Sequence, residues 1–329
     1  MSILVVGGAG YIGSHTAKHI AGIGGRPIVL DNLSTGHDWA VRWGPLEIGD
    51  LADRERVRAV LEAHRITAVV HFAAHAYVGE SIAEPRKYFR NNVANTLNLL
   101  DAMLDVGVKT IVFSSSCTVY GDAPEGPLSE DAPTAPVNPY GESKLMVEKV
   151  LRWYERSYGL RWIALRYFNA AGADPDAEIG EVHDPETHLL PLTIDAALER
   201  RPPLKIFGSD YPTPDGTAVR DYIHVADLAD AHHRALVHLE GGGACGALNL
   251  GTGRGHSVRE VVESVERIGG RPVPRSSAPR REGDPPSLVA DARRAGIVLG
   301  WKPRFPDLET IIQHAWRWHT RADRPAASR

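Results

Sequence analysis

The sequence lacks the features that mark secreted proteins and membrane proteins. Only two of its 329 residues are cysteines, Cys117 and Cys245, too few for a disulfide framework and without metal-ligand spacing. No basic N-terminal segment precedes a long apolar run, and no window approaches the roughly 18 uninterrupted apolar residues that a membrane helix needs. We therefore expect no signal peptide, no membrane contact and a cytoplasmic location.

A large excess of one charge is also absent. Lysine and arginine number 37, aspartate and glutamate number 41, and the formal net charge is −4. This mild acidity excludes a protein whose main task is to neutralise the phosphates of nucleic acid or an anionic membrane surface. An anionic ligand must therefore be held by a few well-placed cations and by backbone amides.

The first half of the sequence alternates short apolar runs with segments of helical periodicity. We predict buried strands at 3–6, 27–30, 46–48, 68–72, 110–113 and 162–165, and helices at 12–22, 54–64, 84–106 and 140–158. Such alternation predicts an α/β fold with a doubly wound parallel sheet. The pattern loosens after about residue 170, and further helices are predicted at 227–239, 258–268 and 308–320.

The length indicates two domains. At roughly 150 residues per domain, the chain is long for one α/β domain and short for three. We predict that residues 1–172 form the first domain and that residues 173–329 form a smaller, loop-rich second domain. The two would be packed closely or interleaved.

A glycine-rich turn follows the first predicted strand and opens the first predicted helix. Residues 7–13 read GGAGYIG, in which Gly7, Gly10 and Gly13 permit a sharp turn and the close approach of a diphosphate. A lone run of this kind also occurs in ordinary strand–helix turns. Here the second strand ends in Asp31, whose carboxylate would accept both hydroxyls of an adenosine ribose, and no arginine follows it. Together these features predict that the first domain binds NAD rather than NADP.

A second pattern, Tyr-x-x-x-Lys, lies in the predicted helix 140–158. Tyr140 and Lys144 are four residues apart and therefore share one face of that helix. A free tyrosine has a pKa near ~10, and a neighbouring cation favours its phenolate. Lys144, together with an oxidised nicotinamide ring, would bring the pKa of Tyr140 toward neutrality and make it a base. Taken alone, the Tyr-x-x-x-Lys pattern is common on protein surfaces. It indicates a catalytic pair here because it follows a dinucleotide-binding motif in the same chain.

Three serines, Ser114, Ser115 and Ser116, stand where the predicted strand 110–113 ends. Ligands of an open parallel sheet bind beyond the carboxyl ends of its strands, and a hydroxyl there can share a proton with a substrate oxygen. A capped turn is the more ordinary explanation of such a run. We do not predict the adjacent Cys117 to be a nucleophile, because no activating base for it is evident and the site already has a base.

In this order and spacing, the three motifs resemble the extended short-chain dehydrogenase/reductase superfamily. Seven further stretches narrow the resemblance to its UDP-glucose 4-epimerase family: residues 71–74 (HFAA), 78–81 (VGES), 91–93 (NNV), 166–172 (RYFNAAG), 210–217 (DYPTPDGT), 219–225 (VRDYIHV) and 280–284 (RREGD). The similarity runs from about residue 3 to about residue 319. It implies a Rossmann-like sheet to which later parts of the chain return, NAD as cofactor and a UDP-sugar substrate. It also implies a homodimer formed through the predicted helices 84–106 and 140–158.

The resemblance implies oxidation and reduction at one carbon of the sugar. The hydrogen on C4 of a pyranose is not acidic, so proton abstraction alone cannot invert that carbon. The family instead moves a hydride from C4 to NAD, with Tyr140 taking the 4-hydroxyl proton, Ser116 relaying it and Lys144 holding the nicotinamide ribose. The transient 4-keto sugar then presents its other face for return of the hydride. This cycle interconverts UDP-glucose and UDP-galactose without net oxidation.

The resemblance also assigns binding residues position by position. The matched cofactor contacts are Gly7, Gly10, Tyr11, Ile12, Gly13, Asp31, Asn32, Asp50, Leu51, Phe72, Ala73, Ala74, Asn91, Ser114, Tyr140, Lys144 and Phe168. The matched substrate contacts are Ser116, Asn169, Leu189, Phe207, Arg220, Arg281, Asp284 and Leu288. Arg220 and Arg281 would be the well-placed cations, since guanidinium forks suit a diphosphate.

Three positions depart from the family pattern. Ala76 stands where many relatives have a lysine that reaches toward the cofactor, so NAD retention would be weaker or supplied differently. His188 stands where some relatives have an asparagine near the sugar. Leu288 aligns with a residue that gates the 2-position of the sugar, where tyrosine excludes N-acetyl groups. A smaller residue can admit them, and leucine is intermediate in size, so we expect partial activity on UDP-N-acetylglucosamine. UDP-xylose and UDP-arabinose stay open as substrates.

Other functions are disfavoured by particular residues. A nucleotide-sugar 4,6-dehydratase needs a further acid and base, and the matching place, residues 116–118 (SCT), lacks a carboxylate. A non-enzymatic NAD-binding regulator needs the glycine turn but not Tyr140 with Lys144. No metal is expected, although residues 183–188 and 232–233 contain metal-capable side chains. Neither stretch has a helical His-x-x-x-His pair, and the chemistry needs no metal.

Overall fold

Seven parallel strands, numbered along the chain, form the central sheet. The computed structural model describes residues 1–121, 126–281, 284–322 and 325. From one edge to the other, the sheet contains β10 (Gly246–Leu250), β6 (Arg161–Tyr167), β5 (Thr110–Ser114), β4 (Ala68–His71), β1 (Ser2–Val6), β2 (Arg26–Asp31) and β3 (Leu46–Ile48). The strand order changes direction between β1 and β4. The predicted doubly wound parallel sheet is therefore confirmed.

Helices cover both faces of this sheet, which explains why its strands are continuous apolar runs. One face is buried by α2 (Arg54–Ala63), α5 (Asn95–Asp105) and α6 (Pro139–Tyr158), and the other by α1 (Tyr11–Gly22), α8 (Val225–Glu240) and α10 (Arg293–Leu299). Along β1, Leu4 points into the first of these cores and Val5 into the second. Successive side chains of a strand face opposite ways, so both faces need apolar residues.

The prediction of one helix over 84–106 is wrong. The chain there forms α3 (Val78–Ala83), α4 (Pro85–Tyr88), a π-helical segment (Phe89–Ala94) and then α5. Pro85 suits the first turn of a helix but not its interior, so a new helix starts at that residue. In the π-helical segment the buried amide of Asn92 donates to the carbonyl of His75 and to Ser143 Oγ, both at 3.0 Å.

The elements after β6, apart from α8, α10 and β10, build a second, smaller layer. One small sheet contains β7 (Asn169–Ala171), β9 (Val219–His224), β11 (Gly255–Ser257) and β13 (Ser287–Leu288), and β8 (Leu204–Phe207) pairs with β12 (Arg275–Ala278). The helices α7 (Leu189–Ala197), α9 (Val258–Gly269) and α11 (Leu308–His319) pack around a core of their own. Strand β10 comes from this part of the chain but joins the main sheet beside β6. The domain boundary at residue 172 stays a prediction.

A buried ion pair fastens α6 to the main sheet. Glu148 on α6 and Arg166 on β6 are 2.6 Å apart between Oε2 and Nη2, and both side chains are almost fully buried. Ser115 Oγ donates to the same carboxylate at 2.6 Å. Removing one partner of a buried pair typically destabilises a protein by about 3–5 kcal/mol. The pair therefore fixes how α6 sits on the sheet.

Within the described ranges, no helix combines the length and the apolarity required to cross a bilayer. The longest described helix, α6, has 20 residues and carries charged side chains such as Lys144 and Glu148 in its middle turns. A cytoplasmic location stays a prediction.

Candidate active site

Backbone crowding explains the glycines in the turn between β1 and α1. Gly7 has a φ of +77°, a conformation that favours glycine, and a Cβ there would lie 2.5 Å from the nitrogen of Ala73. A Cβ on Gly13 would lie 2.3 Å from the carbonyl oxygen of Gly7. Both separations are far shorter than real side chains adopt. Only glycine can therefore occupy these two positions of the turn.

The first turn of α1 presents backbone amides without side-chain partners. Gly10 is the N-cap residue; among the described residues no side chain caps the helix there, and its first turn contains no acidic residue. Such a helix start binds anions, because its N–H groups point outward and carry a partial positive charge. Tyr11 and Ile12 lie in this turn, and the Tyr11 hydroxyl donates to the carbonyl of Gly172 at 2.7 Å. The turn therefore has the donors that a diphosphate requires.

Asp31 lies at the end of β2, beside the glycine turn. Its two carboxylate oxygens accept hydrogen bonds from the amides of Ala9 and Leu33, at 2.9 and 2.8 Å. Burial raises the pKa of Asp31, and these amide hydrogen bonds oppose the shift. Each oxygen keeps a further lone pair, so the carboxylate can still accept hydroxyl groups.

Two more predicted cofactor residues, Asn32 after β2 and Asp50 after β3, are in contact. The Asn32 amide donates to Asp50 at 2.7 Å, and the amide of Ala52 donates to the other oxygen of the same carboxylate at 2.7 Å. The side chain of Leu51 is instead buried in the core beneath α2 and α5. Leu51 can therefore offer a ligand its backbone but not its side chain.

The segment after β4 and the π-helical segment carry the next group. The amides of Phe72 and Ala73 both donate to the carbonyl of Val6, at 2.8 and 3.1 Å, which holds this segment against β1. Ala74 follows directly. Asn91 donates to the neighbouring amide oxygen of Asn92 at 3.0 Å. No contact joins Asn91 to Phe72 or Ala73 among the hydrogen bonds of the described chain.

The structure brings Ser116, Tyr140 and Lys144 together beyond the end of β5. Lys144 Nζ donates to the carbonyl of Ser114 at 2.8 Å and lies 5.8 Å from the centre of the Tyr140 ring. Ser116 Oγ accepts from Thr118 Oγ1 at 3.0 Å and forms a hydrogen bond with Tyr140. The three predicted catalytic side chains are all buried. They therefore form one cluster at the edge where parallel sheets bind ligands.

Burial changes the protonation of this cluster in a way that the sequence does not show. Burial is the main cause that raises the pKa of Tyr140, and its hydrogen bond with Ser116 opposes this shift without offsetting it. Burial also lowers the pKa of Lys144 to about 7. The expectation that Lys144 lowers the pKa of Tyr140 is therefore not met by the protein's own side chains. A further positive charge has to approach Tyr140 before the phenolate is favoured.

Cys117 is buried next to Ser116. Burial raises the pKa of its thiol to about 12, so the thiol stays protonated near neutral pH. A protonated thiol is a poor nucleophile. The environment of Cys117 agrees with leaving it out of the chemistry.

Four of the predicted substrate residues form two contacting pairs. Arg220 on β9 forms an ion pair with Asp284, and its Nη1 donates to the carbonyl of Val219 at 2.7 Å. The guanidinium carbon of Arg281 lies 4.1 Å from the centre of the Phe207 ring. These contacts place both arginines near the loop at 280–284, of which Glu282 and Gly283 lie outside the described residues.

Leu288 connects the two halves of the chain. It pairs with Arg220 between β13 and β9, and it packs against a buried cluster that contains Phe168 and Cys117. Phe168, the predicted nicotinamide neighbour, is buried, and its amide donates to the carbonyl of Leu250 at 3.3 Å. A predicted substrate residue thus lies beside the strand ends that carry the catalytic cluster.

Two predicted substrate residues are not joined to the others by the described contacts. Asn169 begins β7, where it pairs with Tyr222. Leu189 begins α7 and packs against the core of the second layer. Both lie on elements that precede Arg220 in the chain, and their roles stay predictions.

Sequence reasoning missed the residues that hold the catalytic cluster in place. Glu148 continues the four-residue spacing of Tyr140 and Lys144 on α6, so the spacing itself was the available signal. Arg166 and Asn92 lie within stretches that carry the family resemblance but received no role. Each of the three is a buried polar residue with buried partners.

Comparison with known proteins shows the family to which this chain belongs. The model of the NAD dependent epimerase/dehydratase family matches residues 3–251. The UDP-glucose 4-epimerase of Rhizobium meliloti (strain 1021) is 53% identical over 320 residues, which are 97% of either protein. The crystal structure of UDP-glucose 4-epimerase from Brucella ovis in complex with NAD is 53% identical, with a TM-score of 0.94 over 96% of this chain and 97% of that chain.

A further solved structure carries a sugar nucleotide. It is UDP-glucose-4-epimerase from Stenotrophomonas maltophila with bound NAD and formylated UDP-arabinopyranose, 42% identical, with a TM-score of 0.93 over 97% of each chain. The chain therefore belongs to the NAD dependent epimerase/dehydratase family. The resemblance to nucleotide-sugar epimerases stated from the motifs is confirmed.

The crowding around Gly13 leads to a direct prediction. Gly13→Ala should weaken NAD binding by at least ~100-fold and lower the free energy of unfolding by about 1–3 kcal/mol, because its Cβ would collide with backbone atoms. Gly22→Ala, at the other end of α1, is the control, since its Cβ meets no atom within 4 Å. It should keep NAD affinity and gain up to ~1 kcal/mol in stability. Calorimetric NAD titration and thermal unfolding measure both effects; equal NAD affinity in the two variants would contradict the argument.

Proposed function

We propose that the chain is an NAD-dependent UDP-glucose 4-epimerase that interconverts UDP-glucose and UDP-galactose. The observation that carries this proposal is the buried cluster of Ser116, Tyr140 and Lys144 beside a glycine turn and an aspartate suited to NAD. The curated relative and the two solved structures described above all carry the name of this enzyme.

The residues present fit NAD as the resident cofactor. The uncapped start of α1 would hold its diphosphate, and the carboxylate of Asp31 would accept the hydroxyls of its adenosine ribose. When bound, NAD accepts a hydride from C4 of the sugar and returns it. Phe168 and Lys144 would lie on the nicotinamide side, beyond the end of β5.

Each residue of the cluster has a distinct proposed task. Tyr140 would take the proton of the 4-hydroxyl group and later return it. Ser116, hydrogen-bonded to Tyr140, would hold the same substrate oxygen and pass the proton between them. Lys144 would hold the ribose on the nicotinamide side, with its ammonium positioned by the carbonyl of Ser114. Because burial raises the pKa of Tyr140, the base would act only when positive charge is near.

The diphosphate of the sugar nucleotide would be held by Arg220 and Arg281. A guanidinium fork donates two parallel hydrogen bonds to phosphate oxygens. Asp284 already accepts from Arg220 and would orient that fork, while stacking on Phe207 would orient Arg281. These few cations suit a small dianion on a protein whose net charge is −4.

Two further sugars are candidate substrates. The Stenotrophomonas maltophila structure contains formylated UDP-arabinopyranose, which favours a pentose as an alternative. Epimerisation at C4 does not need the hydroxymethyl group that a pentose lacks. Leu288 is half-buried on β13 and smaller than tyrosine, so the 2-position of the sugar would keep room for an N-acetyl group. A 4,6-dehydratase stays disfavoured, because Cys117 and Thr118 supply no carboxylate next to Ser116.

We also propose a homodimer in which α6 and the helices at 85–105 dock on their copies. On α6, Met146 and Trp153 are two helical turns apart, on one face, and both are exposed, Trp153 by 64%. An exposed tryptophan on a long helix is typical of an interaction surface.

The role of Tyr140 predicts the effect of removing its hydroxyl. Tyr140→Phe should lower kcat for UDP-galactose by about 10³-fold and leave the fold intact, because the proton acceptor is lost while the ring is kept. Tyr158→Phe on the same helix, where the ring is 52% exposed, should keep wild-type turnover. A coupled assay of UDP-glucose formation measures both. Near wild-type turnover of Tyr140→Phe would show that Tyr140 is not the base, and absence of turnover in the wild-type protein would point to an NAD-binding regulator instead.

The role of Leu288 predicts a change in substrate range. Incubation with UDP-galactose, UDP-N-acetylgalactosamine and UDP-arabinose without added NAD should show turnover of the N-acetyl sugar at a reduced rate. Leu288→Tyr should lower that rate by a further ~10-fold or more relative to UDP-galactose, since steric exclusion is worth about 1–3 kcal/mol. Product analysis by chromatography measures the three rates. Absence of turnover of UDP-N-acetylgalactosamine by the wild-type protein would contradict the proposed activity on N-acetyl sugars.

The dimer surface is checked by changing its exposed tryptophan. Trp153→Glu should convert the protein to a monomer, because a charge would be buried in an apolar interface. Ile297→Glu, at an 84% exposed position on α10, should leave the dimer intact. Light scattering after size-exclusion chromatography gives the molar mass of each. A monomeric wild-type protein would rule out the dimer.

A further inference from the structure

Four metal-capable side chains of the loop between β7 and α7 converge on one point. They are Glu181, His183, Glu186 and His188, and their nearest ligand atoms all lie within 4.8 Å of one another. His183 Nδ1 lies 3.2 Å from an oxygen of Glu181 and 3.5 Å from an oxygen of Glu186. His188 Nδ1 lies 2.8 and 3.0 Å from oxygens of the same two carboxylates. Each imidazole nitrogen therefore faces both carboxylates.

The nitrogen–oxygen separations are close to the edge length of a small coordination tetrahedron. Zinc binds imidazole nitrogen at about 2.0–2.1 Å and carboxylate oxygen at about 2.0–2.2 Å. Ligand atoms at the corners of a tetrahedron of that size are about 3.3–3.5 Å apart. The four nitrogen–oxygen distances, from 2.8 to 3.5 Å, involve one oxygen of Glu181 and both oxygens of Glu186 and lie at or inside this value. The other separations in the cluster stay within 4.8 Å, so a rearrangement of side chains alone would admit the ion.

The surrounding fold fixes the chain that enters this cluster. Glu181 is almost fully buried, and the indole nitrogen of Trp318 donates to its carbonyl at 3.3 Å. A ring nitrogen of His37 lies 3.1 Å from the carbonyl oxygen of Val182. A Cβ on Gly180 would lie 2.5 Å from the indole of Trp318. The position of the first ligand is thus set by packing and not only by the cluster itself.

The charges of the cluster are confined to its own four side chains. In the part of the chain that the structure describes, every ion pair of the two glutamates is with one of the two histidines, and none is with lysine or arginine. His183 Nδ1 is buried there without a well-formed hydrogen bond, although it is aimed at both carboxylates. Without a metal ion, the charges of the two carboxylates are balanced by protons on His183 and His188, because the carboxylates raise the pKa of both imidazoles. A bound cation would take the place of those protons.

We propose that Glu181, His183, Glu186 and His188 bind a zinc ion. Two imidazole nitrogens favour zinc and neighbouring transition metals over magnesium and calcium, which prefer oxygen ligands. Two carboxylates balance the double charge of the ion. Four protein ligands are typical of structural zinc, because catalytic zinc keeps one position open for water or substrate. The ion has no part in the proposed epimerase chemistry.

The expectation of no metal rests on the absence of a helical His-x-x-x-His pair. In the folded chain the ligands instead alternate along a loop, in the order Glu-x-His-x-x-Glu-x-His. Only the folded loop brings Glu181 and Glu186 to the same point. The proposal replaces that expectation for residues 181–188.

A zinc ion here would fasten the loop beside the proposed cofactor site. The ring of His183 is perpendicular to that of Tyr11, with their centres 6.4 Å apart, and the Tyr77 hydroxyl donates to the carbonyl of Pro185 at 3.1 Å. Tyr11 opens α1, and Tyr77 directly follows Ala76, the position without the usual lysine. The ion would thus tie the loop to two segments on the cofactor side.

Metal binding by the full chain, purified without a histidine tag, tests the proposal. After treatment with a chelator and dialysis, calorimetric titration with zinc chloride should give one bound zinc ion per chain. Titration with cobalt chloride should give the visible absorption of tetrahedral cobalt at the same stoichiometry. Saturating zinc should raise Tm by about 5 °C, because only the folded chain assembles all four ligands.

His188→Asn is the diagnostic variant, since this side chain is the most exposed of the four, at 44%. It should weaken zinc binding by at least ~100-fold and abolish the shift in Tm. Glu181→Gln, which keeps the side-chain volume, should have the same effect. His64→Ala is the control, because His64 also pairs with a glutamate, Glu47 at 2.6 Å, but lies outside the cluster. It should bind zinc as the wild-type protein does.

Equal zinc affinity in the wild-type protein and in either diagnostic variant would overturn the proposal, as would an octahedral cobalt spectrum. Circular dichroism identifies a variant that fails to fold, and the other variant then decides. None of these measurements uses epimerase turnover. Failure of the zinc proposal is therefore distinguishable from failure of the proposed function.

Discussion

The attachment of α6 to the sheet is the contact on which the candidate active site depends. Glu148 pairs with Arg166 and accepts a hydrogen bond from Ser115, while Lys144 donates to the carbonyl of Ser114 one turn earlier. All of these partners are buried. A shift of α6 by one turn, about 5.4 Å, would leave the arginine unpaired in the interior. The helix therefore has one position, and Tyr140 has one place relative to the strand ends.

The same burial determines the chemistry that this position permits. Removing water strengthens the polar contacts that hold α6, but it also disfavours every isolated charge in the cluster. Tyr140 is held in its neutral form, and the pKa of Lys144 falls to about 7. In the proposed role of a base, Tyr140 would therefore depend on a positive charge bound beside it. Removal of the Tyr140 proton would thus be coupled electrostatically to the binding of a cofactor in the same buried cluster.

Much of the architecture could be predicted from the sequence because the apolar pattern is long and regular. Buried parallel strands read as unbroken apolar runs, and the glycine turn, Asp31 and the Tyr140–Lys144 spacing are local signals. The interruption at Pro85 was missed, because the apolar periodicity continues through it. What could not be predicted depends on distant parts of the chain meeting. Arg166 meets Glu148 only in the fold, and desolvation of Tyr140 depends on atoms far away in the sequence.

The loop at residues 181–188 shows the same limit in another form. Its four polar side chains are separated by one or two residues, which matches no regular helix or strand face. Their convergence is produced by the backbone path, which packing against Trp318 sets. A pattern search based on helical spacing cannot find such a group.

Strand β10 joins the main sheet only after the chain has returned from the second layer. It covers the outer edge of β6, although β7, α7, β8, β9 and α8 lie between these two strands in the chain. Without β10 in place, β6 has unpaired N–H and C=O groups along one side, open to pairing with another chain. A truncated protein that ends near residue 172 would therefore expose β6 as an unpaired edge strand. The return of the chain to its first sheet covers that edge, so the first half depends on a strand from the second half to complete its sheet.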